Sequence, residues 1–420
     1  MNEDNNQNIE EEYDLYTEKI VELPVKKYKR AIKLFKYIVL TIMLSLVAGL
    51  VFYYTVKFLR DKEGSKAEPT KPNITIPYVE PETKEHSTDE TEETTGQTQK
   101  NTEEASNTSL EYKAIKLAEN AYKSLVIVQA LKNTSQLFGT MYEVETTGVC
   151  IVRSDNKDYI ITQYDVIKDA DIIYIRNKNG KPVNATFIAG DSVTNVAIIC
   201  VEDDAVFTAF GAQLTPITMG NTGFISNMNE VVAVGNVCNG PYSMNYGMVT
   251  NTNNVVKVID MCYSIVNTNI SSGNNPSGIL INGNGEMIGL ITNSYAGEYG
   301  SNLISAYGVS NLRSLFEQLI NKKDIVYVGI EGNEVTNAIS EANGLPRGVY
   351  ITDILANSPA YASGLQIGDI IVKIEDTSIE TFFKYRTTLF KYVPGDSVTF
   401  TVARRNKMVY KEITIEVVLQ

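Results

Sequence analysis

From about Leu125 to Leu303 the apolar residues fall in short runs that Gly, Asn and Asp interrupt. Each run has the length of a β-strand, and each interruption carries residues that favour turns. The runs are SLVIVQAL, GVCIV, DYIITQYDVI, DIIYIRN, VAIICVE, EVVAVGN, YGMVT, GILIN and EMIGLIT. Several short strands with regular turn signals predict an all-β barrel or sandwich.

Helical apolar spacing brackets this region, because LEYKAIKLAENAY precedes it and NLRSLFEQLI closes it. From Lys322 to Gln420 a second unit combines the strand-like runs VYVGI, GVYITDI, DIIVKI, SVTFTVARR and EITIEVV with two helical patterns, NEVTNAISEAN and TFFKYRTTLFKY. In the last pattern Phe382, Tyr385 and Leu389 share one helix face. We therefore expect these three side chains to face the core of an α+β unit.

The run from Tyr37 to Val56 carries no charge and is about 20 residues long, which is enough to span a bilayer. Six of the residues at 26–36 are basic, namely Lys26, Lys27, Lys29, Arg30, Lys33 and Lys36. Since basic residues favour the cytoplasmic side, we predict a cytoplasmic tail at 1–36 and one transmembrane helix at 37–56. The chain would then be a single-pass protein of the cell membrane with everything after the helix extracytoplasmic.

Residues 67–108 are rich in Thr, Glu, Pro, Asn and Gln and contain few aliphatic residues. Such a segment cannot bury enough apolar surface to offset the entropy of ordering, so 57–108 is predicted to be a disordered acidic linker. The only histidine of the chain, His86, lies in this linker and is most simply a solvated side chain. The net charge of −13 excludes nucleic acid as a partner.

Four cysteines are present, at positions 150, 200, 238 and 262, and no two have C-x-x-C spacing. This spacing argues against a zinc site, and we predict neither a metal nor a cofactor. Cys150 and Cys200 lie within apolar runs and are expected to be buried. Cys238 and Cys262 lie near loops, and pairing between them stays open.

Several motifs follow one another in an order that resembles the HtrA/Deg family, in which a trypsin-like protease precedes a PDZ domain. Gly148–Val152 resembles the family's G-S-G-V-I-I strand, Tyr159–Ile167 resembles Y-I-V-T-N-N-H-V-V, and Gly285–Gly289 resembles G-E-V-I-G. The second unit carries Ser358-Pro359-Ala360 and Gly368-Asp369-Ile370-Ile371 in the PDZ order. The match covers roughly three quarters of the chain.

The resemblance implies a mostly β fold, with a trypsin-like double β-barrel at 109–320, an α+β PDZ domain at 321–420 and one transmembrane helix before them. Proteins of this family assemble as homotrimers, so the resemblance makes a homotrimer one possible assembly of this chain. The three triad positions, however, are all changed. The family's histidine falls on Asp165, its aspartate on Asn195, and its serine on Pro276, or on Asn275 or Ser277 with a shift of one residue.

These changes remove the chemistry of the triad. A serine hydroxyl is a weak nucleophile until a neighbouring base takes its proton, and the barrel region contains no histidine. Asn195 cannot hold a charge, and Pro276 has no backbone N–H to give to an oxyanion hole. We therefore predict that the chain has no catalytic residue. The alternative is an unorthodox site in which Ser271, Ser272 or Ser277 uses a lysine that approaches from a distant segment.

The PDZ unit is where function is expected to survive. A PDZ domain takes a peptide as an added strand and binds its terminal carboxylate with the backbone N–H groups of a turn. By resemblance that turn is Tyr327-Val328-Gly329-Ile330, where glycine lets the backbone approach the anion. The alternative role for Gly329 is to allow a bend at the start of a strand.

The leading hypothesis is a membrane-anchored pseudoprotease that binds protein C-termini or unfolded polypeptide in envelope quality control or signalling. An active HtrA-type serine endopeptidase is the alternative, and a purely structural envelope protein is a third. Two structural features separate them. An active enzyme needs a basic group within hydrogen-bond reach of Ser272 or Ser277, and a structural protein would have a filled PDZ groove.

Overall fold

The computed structural model describes residues 73–78, 110–133, 141–292, 302–407 and 409–420, together with six helical residues, Phe35, Ile38, Val39, Ile42, Met43 and Ser45. The chain divides into two units, Met1–Pro72 and Asn73–Gln420. Most of the predicted transmembrane span and linker, including His86, lies outside the described residues. Within the described part, no helix has the length and apolar character that crossing a membrane requires.

A helix, α1 (Leu110–Ala121), leads into the first barrel. Its strands are β1 (Leu125–Asn133), β2 (Met141–Ser154), β3 (Lys157–Gln163), β4 (Ile172–Arg176), β5 (Val183–Asp191) and β6 (Val196–Glu202). They close in the order β1-β2-β3-β6-β5-β4. Two helices belong to this barrel, α2 (Tyr164–Ile167) after β3 and α3 (Asp203–Phe210) after β6. The first half of the apolar region is thus one closed, antiparallel barrel.

The second barrel repeats the architecture. Its strands are β7 (Glu230–Asn236), β8 (Ser243–Val258), β9 (Met261–Ser271), β10 (Ser277–Ile281), β11 (Met287–Thr292) and β12 (Leu303–Gly308). They close in the order β10-β11-β12-β9-β8-β7. The helix α4 (Val309–Ile320) follows, as predicted from NLRSLFEQLI. The predicted double β-barrel is therefore confirmed.

Strands β3 and β6 are apolar at nearly every position because both of their faces are buried. Ile160 and Ile199 point into the core of the first barrel. Their neighbours Ile161 and Ile198 belong to a larger core that reaches into the second barrel. A strand that is covered on both sides reads as a continuous apolar run and not as an alternating one. The cleft between the barrels is consequently bordered by rigid, fully paired strands.

The C-terminal unit is one sheet with helices against it. Its strands are β13 (Ile330–Val335), β14 (Gly348–Ile354), β15 (Ile370–Ile374), β16 (Thr377–Ser378), β17 (Ser397–Asn406) and β18 (Val409–Val418). The order is β13-β14-β15-β17-β18, and β16 pairs with β15. The helices are α5 (Asn337–Asn343), α6 (Pro359–Ser363) and α7 (Phe382–Leu389). Phe382, Tyr385 and Leu389 of α7 are buried, as their spacing predicted.

Two of the predicted strand runs are shorter in the structure. DYIITQYDVI ends as a strand at Gln163, and the helix α2 begins at Tyr164, where Asn195 accepts hydrogen bonds from the first backbone N–H groups of the helix. VYVGI is not a strand before Ile330, because Gly329 adopts a φ of +88° that breaks the extended backbone. Within NEVTNAISEAN, the first residues complete β13, and the helix begins at Asn337.

Six residues of the predicted linker differ from the expectation of disorder. Residues 73–78 pack against α4, and Ile76 is only 2% exposed. The backbone N–H of Ile74 donates to Asn321 Oδ1 at 2.9 Å, and that of Ile76 donates to Glu317 Oε1 at 3.0 Å. Two isoleucines in an otherwise polar stretch supply enough apolar surface to fix this short segment.

Candidate functional site

Two of the three positions where the resemblance places a catalytic triad border one small cavity between the barrels. Its volume is about 190 Å³, and Asp165, Asn195 and Ser277 are among its lining residues. Pro276 is buried immediately before Ser277 and does not line the cavity. The structure thus brings two of the three predicted positions together, with Ser277 in place of the third.

Asp165 and Asn195 contact each other through the backbone of the helix α2. The backbone N–H of Asp165 donates to Asn195 Oδ1 at 2.7 Å, and the N–H of Tyr164 donates to the carbonyl of Asn195 at 3.0 Å. Asn195 adopts a left-handed φ of +59°, which asparagine tolerates better than most residues. Its side chain therefore serves the start of a helix and does not orient a catalytic base.

Ser277 is a buried structural residue in this arrangement. It is 2% exposed, and its Oγ donates to Thr147 Oγ1 at 3.0 Å and accepts from the backbone N–H of Thr147 at 3.2 Å. These bonds tie β10 of the second barrel to β2 of the first. Among the described residues that line the cavity, no lysine, arginine or histidine is present. The hydroxyl of Ser277 therefore has no lysine or histidine beside it in this cavity that would take its proton.

The oxyanion hole of a trypsin-like site uses two backbone donors, the N–H of the nucleophile and the N–H two residues before it. Pro276 stands at the first position and has no N–H. Asn274 stands at the second, and its N–H donates to Asn239 Oδ1 at 2.7 Å. In the register that aligns the family's serine with Pro276, one donor is thus absent and the other is bonded to the side chain of Asn239.

Three of the four residues that were predicted to bind peptide hold a carboxylate, and it comes from the chain itself. The fourth, Tyr327, donates its backbone N–H to the carbonyl of Gln420 at 2.6 Å. The backbone N–H of Val328 donates to Asp260 Oδ2 at 2.8 Å, and that of Ile330 donates to Asp260 Oδ1 at 3.2 Å. The N–H of Gly329 reaches both oxygens, at 2.9 and 3.1 Å. Asp260 is 1% exposed, although aspartate is rarely buried without a partner. We call Val328, Gly329 and Ile330 the carboxylate loop.

Asp260 lies at the tip of the hairpin between β8 and β9, where Val258 pairs with Met261. Its φ of +58° is typical of a tight turn. The backbone N–H of Asp260 donates to the carbonyl of Ile330 at 2.8 Å. The tip therefore makes both contacts that a bound peptide makes with a PDZ domain, one backbone bond to the strand edge and one carboxylate in the loop.

A fourth donor comes from the helix α7. The hydroxyl of Tyr385 donates to Asp260 Oδ1 at 3.0 Å, and the side chain is fully buried. Burial, reinforced by the negative charge of Asp260, raises the pKa of Tyr385 well above its usual value. A raised phenol pKa keeps the hydroxyl protonated throughout the neutral range, so it stays a donor to the carboxylate.

Gly329 is required by the geometry of the carboxylate loop. Its φ is +88°, a conformation that side chains with a Cβ rarely adopt. A Cβ added here would also lie 2.3 Å from Cβ of Ser358. Both the bend at the strand start and the close approach to the anion thus depend on the same glycine.

Cys262 continues the contact between the second barrel and the PDZ unit. Its thiol donates to the carbonyl of Gly332 at 3.5 Å, and burial raises the pKa of Cys262 to about 12. Cys262 and the exposed Cys238 are both free thiols, so they do not pair. Cys150 and Cys200 are buried, as predicted.

Sequence reasoning missed Asp260. The signal that was available is the run VIDMC, in which a single aspartate stands between Ile259 and Met261 at a hairpin tip. Exposed turns usually carry several polar or glycine residues. Apolar residues on both sides of the turn indicate that this tip is covered by another part of the chain.

The fold and the two sites define a class, a trypsin-like double barrel that is followed by a PDZ domain. The family profile of the trypsin-like peptidase domain matches residues 146–290, and that of the PDZ domain matches residues 318–417. Among solved structures, the HtrA-type protease AlgW with a tripeptide superposes with a TM-score of 0.54 at 19% identity, covering 73% of this chain and 97% of that one.

Three relatives extend the comparison. The serine protease Do-like HtrA of Lactobacillus helveticus is 24% identical over 290 residues, 65% of this chain and 68% of that protein. The periplasmic pH-dependent serine endoprotease DegQ of Escherichia coli K12 is 27% identical over 278 residues, 65% of this chain and 60% of DegQ. The serine endoprotease DegS of the same strain is 24% identical, covering 65% of this chain and 78% of DegS. The chain is thus similar to HtrA-type proteases in its order of domains, in sequence and in fold.

The bonds of Ser277 generate a prediction about stability. Ser277→Ala leaves the buried N–H of Thr147 without its acceptor, so the free energy of unfolding should fall by about 1–3 kcal/mol. Urea denaturation followed by far-ultraviolet circular dichroism measures this change. Ser192→Ala, at an exposed turn position, is the matched control and should change stability by less than about 0.5 kcal/mol. A Ser277→Ala protein as stable as the control would contradict the structural role.

Proposed function

We propose that this chain is a non-hydrolysing HtrA-type protein that binds the C-termini of polypeptides through its PDZ domain. One observation carries the proposal: the three N–H groups of the carboxylate loop converge on a carboxylate. A loop that holds one carboxylate with this geometry has the donors to hold another. The bound group in this structure, the side chain of Asp260, stands in for the terminal carboxylate of a peptide.

The cleft between the barrels supports the non-hydrolysing part of the proposal. Peptide hydrolysis on this fold needs an activated nucleophile, a base and an oxyanion hole. The hydroxyl of Ser277 forms hydrogen bonds with Thr147, and the side chain of Asn195 accepts a hydrogen bond at a helix N-terminus. The N–H of Asn274 donates to Asn239. The polar atoms that would perform catalysis are thus used to join the two barrels and to fix their loops.

An active endopeptidase is the second candidate, because the relatives of this chain are described as serine proteases or endoproteases. That activity would require a rearrangement that frees the N–H of Asn274 and brings a base to a serine. The segments 134–140 and 293–301, which lie outside the described residues, contain no lysine, arginine or histidine.

The first functional prediction is the absence of proteolysis. The full chain in mild detergent should not cleave an unfolded protein substrate, and a fluorophosphonate probe should not label it, because the described residues around Ser277 in the cavity include no lysine or histidine to take its proton. Trypsin in the same assay serves as the positive control. Turnover that disappears in Ser272→Ala or Ser277→Ala would show that the chain is an enzyme.

The second functional prediction concerns the carboxylate. Peptides that end in an apolar residue with a free carboxylate should bind the full chain in the micromolar range, roughly −7 to −8 kcal/mol. Amidation of the peptide terminus should weaken binding at least about tenfold, because the loop then loses its charged acceptor. Fluorescence polarisation with paired free-acid and amide peptides measures the difference.

A pair of glycine variants controls this measurement. Gly329→Val should abolish binding, since its side chain would collide with Ser358. Gly364→Val has a similar positive φ of +83° but no atom within 4 Å of the added Cβ, so it controls for backbone strain alone. Equal binding of the free-acid and amide peptides would mean that this PDZ domain does not read the carboxylate.

The proposal also places the barrels and the PDZ domain on the extracytoplasmic side of the cell membrane. It is supported by the uncharged run 37–56 and the basic residues before it. Protease added to intact cells should remove the barrels and the PDZ domain and leave a small N-terminal fragment. Full protection of both domains would indicate the reverse orientation.

A further inference from the structure

We infer that Asp260 is an internal ligand of the PDZ domain, so that a polypeptide C-terminus binds only by displacing the hairpin tip of the second barrel. The inference rests on the proposed function and adds its regulation. The tip contributes a backbone N–H to Ile330 and a carboxylate to the loop, which are the two contacts that the incoming terminus needs. The PDZ domain therefore holds its own barrel when no partner is bound.

The two occupants exclude each other. Each backbone N–H is a single donor, and all three donors of the carboxylate loop point at Asp260. A second carboxylate at the same place would find no donor of its own and would face a like charge at close range, which is unfavourable in a buried setting. The backbone carbonyl of Ile330 is likewise already bonded to the N–H of Asp260.

The exchange is feasible because the loop requires an anion in either state. Removal of Asp260 without replacement would leave buried N–H groups unbonded, which costs free energy for each group. An incoming α-carboxylate restores these bonds, while Asp260 regains water at the hairpin tip. The energy of the exchange is therefore decided by the rest of the partner, which makes the site selective for a terminus that contributes apolar contacts as well.

The apolar requirement has a counterpart in the structure. Met261, next to Asp260, is 2% exposed and belongs to the same core cluster as Val328, Ile330 and Leu389. A displaced tip withdraws part of this apolar surface from the PDZ domain. A partner with an apolar last residue replaces that surface, whereas one that ends in a charged residue does not.

Displacement of the tip also changes the contact between the two domains. Cys262 lies two residues after Asp260, and its thiol donates to Gly332 on β13 of the PDZ domain. Withdrawal of the tip from the carboxylate loop should break this bond and expose the thiol. Cys262 therefore reports whether the barrel and the PDZ domain are in contact, without any added label.

The first experiment measures peptide affinity with the full chain. If the tip occupies the loop about nine-tenths of the time, it lowers the apparent affinity about tenfold. Asp260→Ala should therefore bind a free-acid peptide about tenfold more tightly than the wild type. Tyr385→Phe removes one of the four donors to Asp260 and should give a smaller gain, about threefold. Asp204→Ala, an exposed aspartate of the first barrel, should leave the affinity unchanged.

The second experiment follows alkylation of Cys262 by iodoacetamide with mass spectrometry. A free-acid peptide should accelerate this reaction at least about fivefold in the wild type, and its amide should not. Asp260→Ala should show the fast rate without peptide. The exposed Cys238 supplies the rate of an open thiol, and the buried Cys150 reports unfolding if a variant is damaged. The wild-type comparison needs no variant and so does not depend on the folding of Asp260→Ala.

The outcomes separate the two claims. Suppose that the wild type and Asp260→Ala bind the free-acid peptide equally and that the peptide leaves Cys262 protected. The claim that Asp260 is an internal ligand is then wrong, and the proposed function stands. If neither protein binds the peptide, both are wrong. Tighter binding to Asp260→Ala together with peptide-dependent exposure of Cys262 supports both.

Discussion

A single buried carboxylate organises the relation between the barrels and the PDZ domain. The carboxyl group of Asp260 is almost completely shielded from water, which is unfavourable unless hydrogen bonds replace its hydration. Three backbone N–H groups and the hydroxyl of Tyr385 provide that replacement. These donors come from the loop before β13 and from the helix α7, so the carboxylate fixes both against the second barrel. The bond between the thiol of Cys262 and the carbonyl of Gly332 adds to this contact.

In the cleft between the barrels, polar groups are also bonded within the protein. In a protease of this fold, serine, histidine and backbone N–H groups must remain available to the substrate. Here the corresponding atoms bond to each other or to neighbouring loops, as Ser277 does with Thr147 and as Asn274 does with Asn239. The bonds of Ser277 join the second barrel to the first, and that of Asn274 fixes a neighbouring loop.

The sequence predicted most of the fold because the relevant signals are local. Short apolar runs with turn residues specify strands, and the spacing of Phe382, Tyr385 and Leu389 specifies the buried face of a helix. The failures occurred where a backbone detail decides the outcome. The strand beginning at Lys157 changes to a helix at Tyr164, and the positive φ of Gly329 delays β13 to Ile330. The motifs led to a prediction for the triad positions, whereas no motif pointed to Asp260. Its partners lie far along the chain, and no local pattern states which distant group a buried aspartate will contact.

The separation between Asp260 and its partners also has a consequence for synthesis of the chain. Gly329 follows Asp260 by 69 positions, so the hairpin of the second barrel leaves the ribosome seconds before the loop that will cover it. During that interval the tip must stay in water beside other nascent chains. A carboxyl group at the tip is well hydrated and disfavours self-association, whereas an apolar residue would make the exposed hairpin more prone to aggregation. The residue that later joins the two domains is thus also one that favours hydration of the uncovered tip.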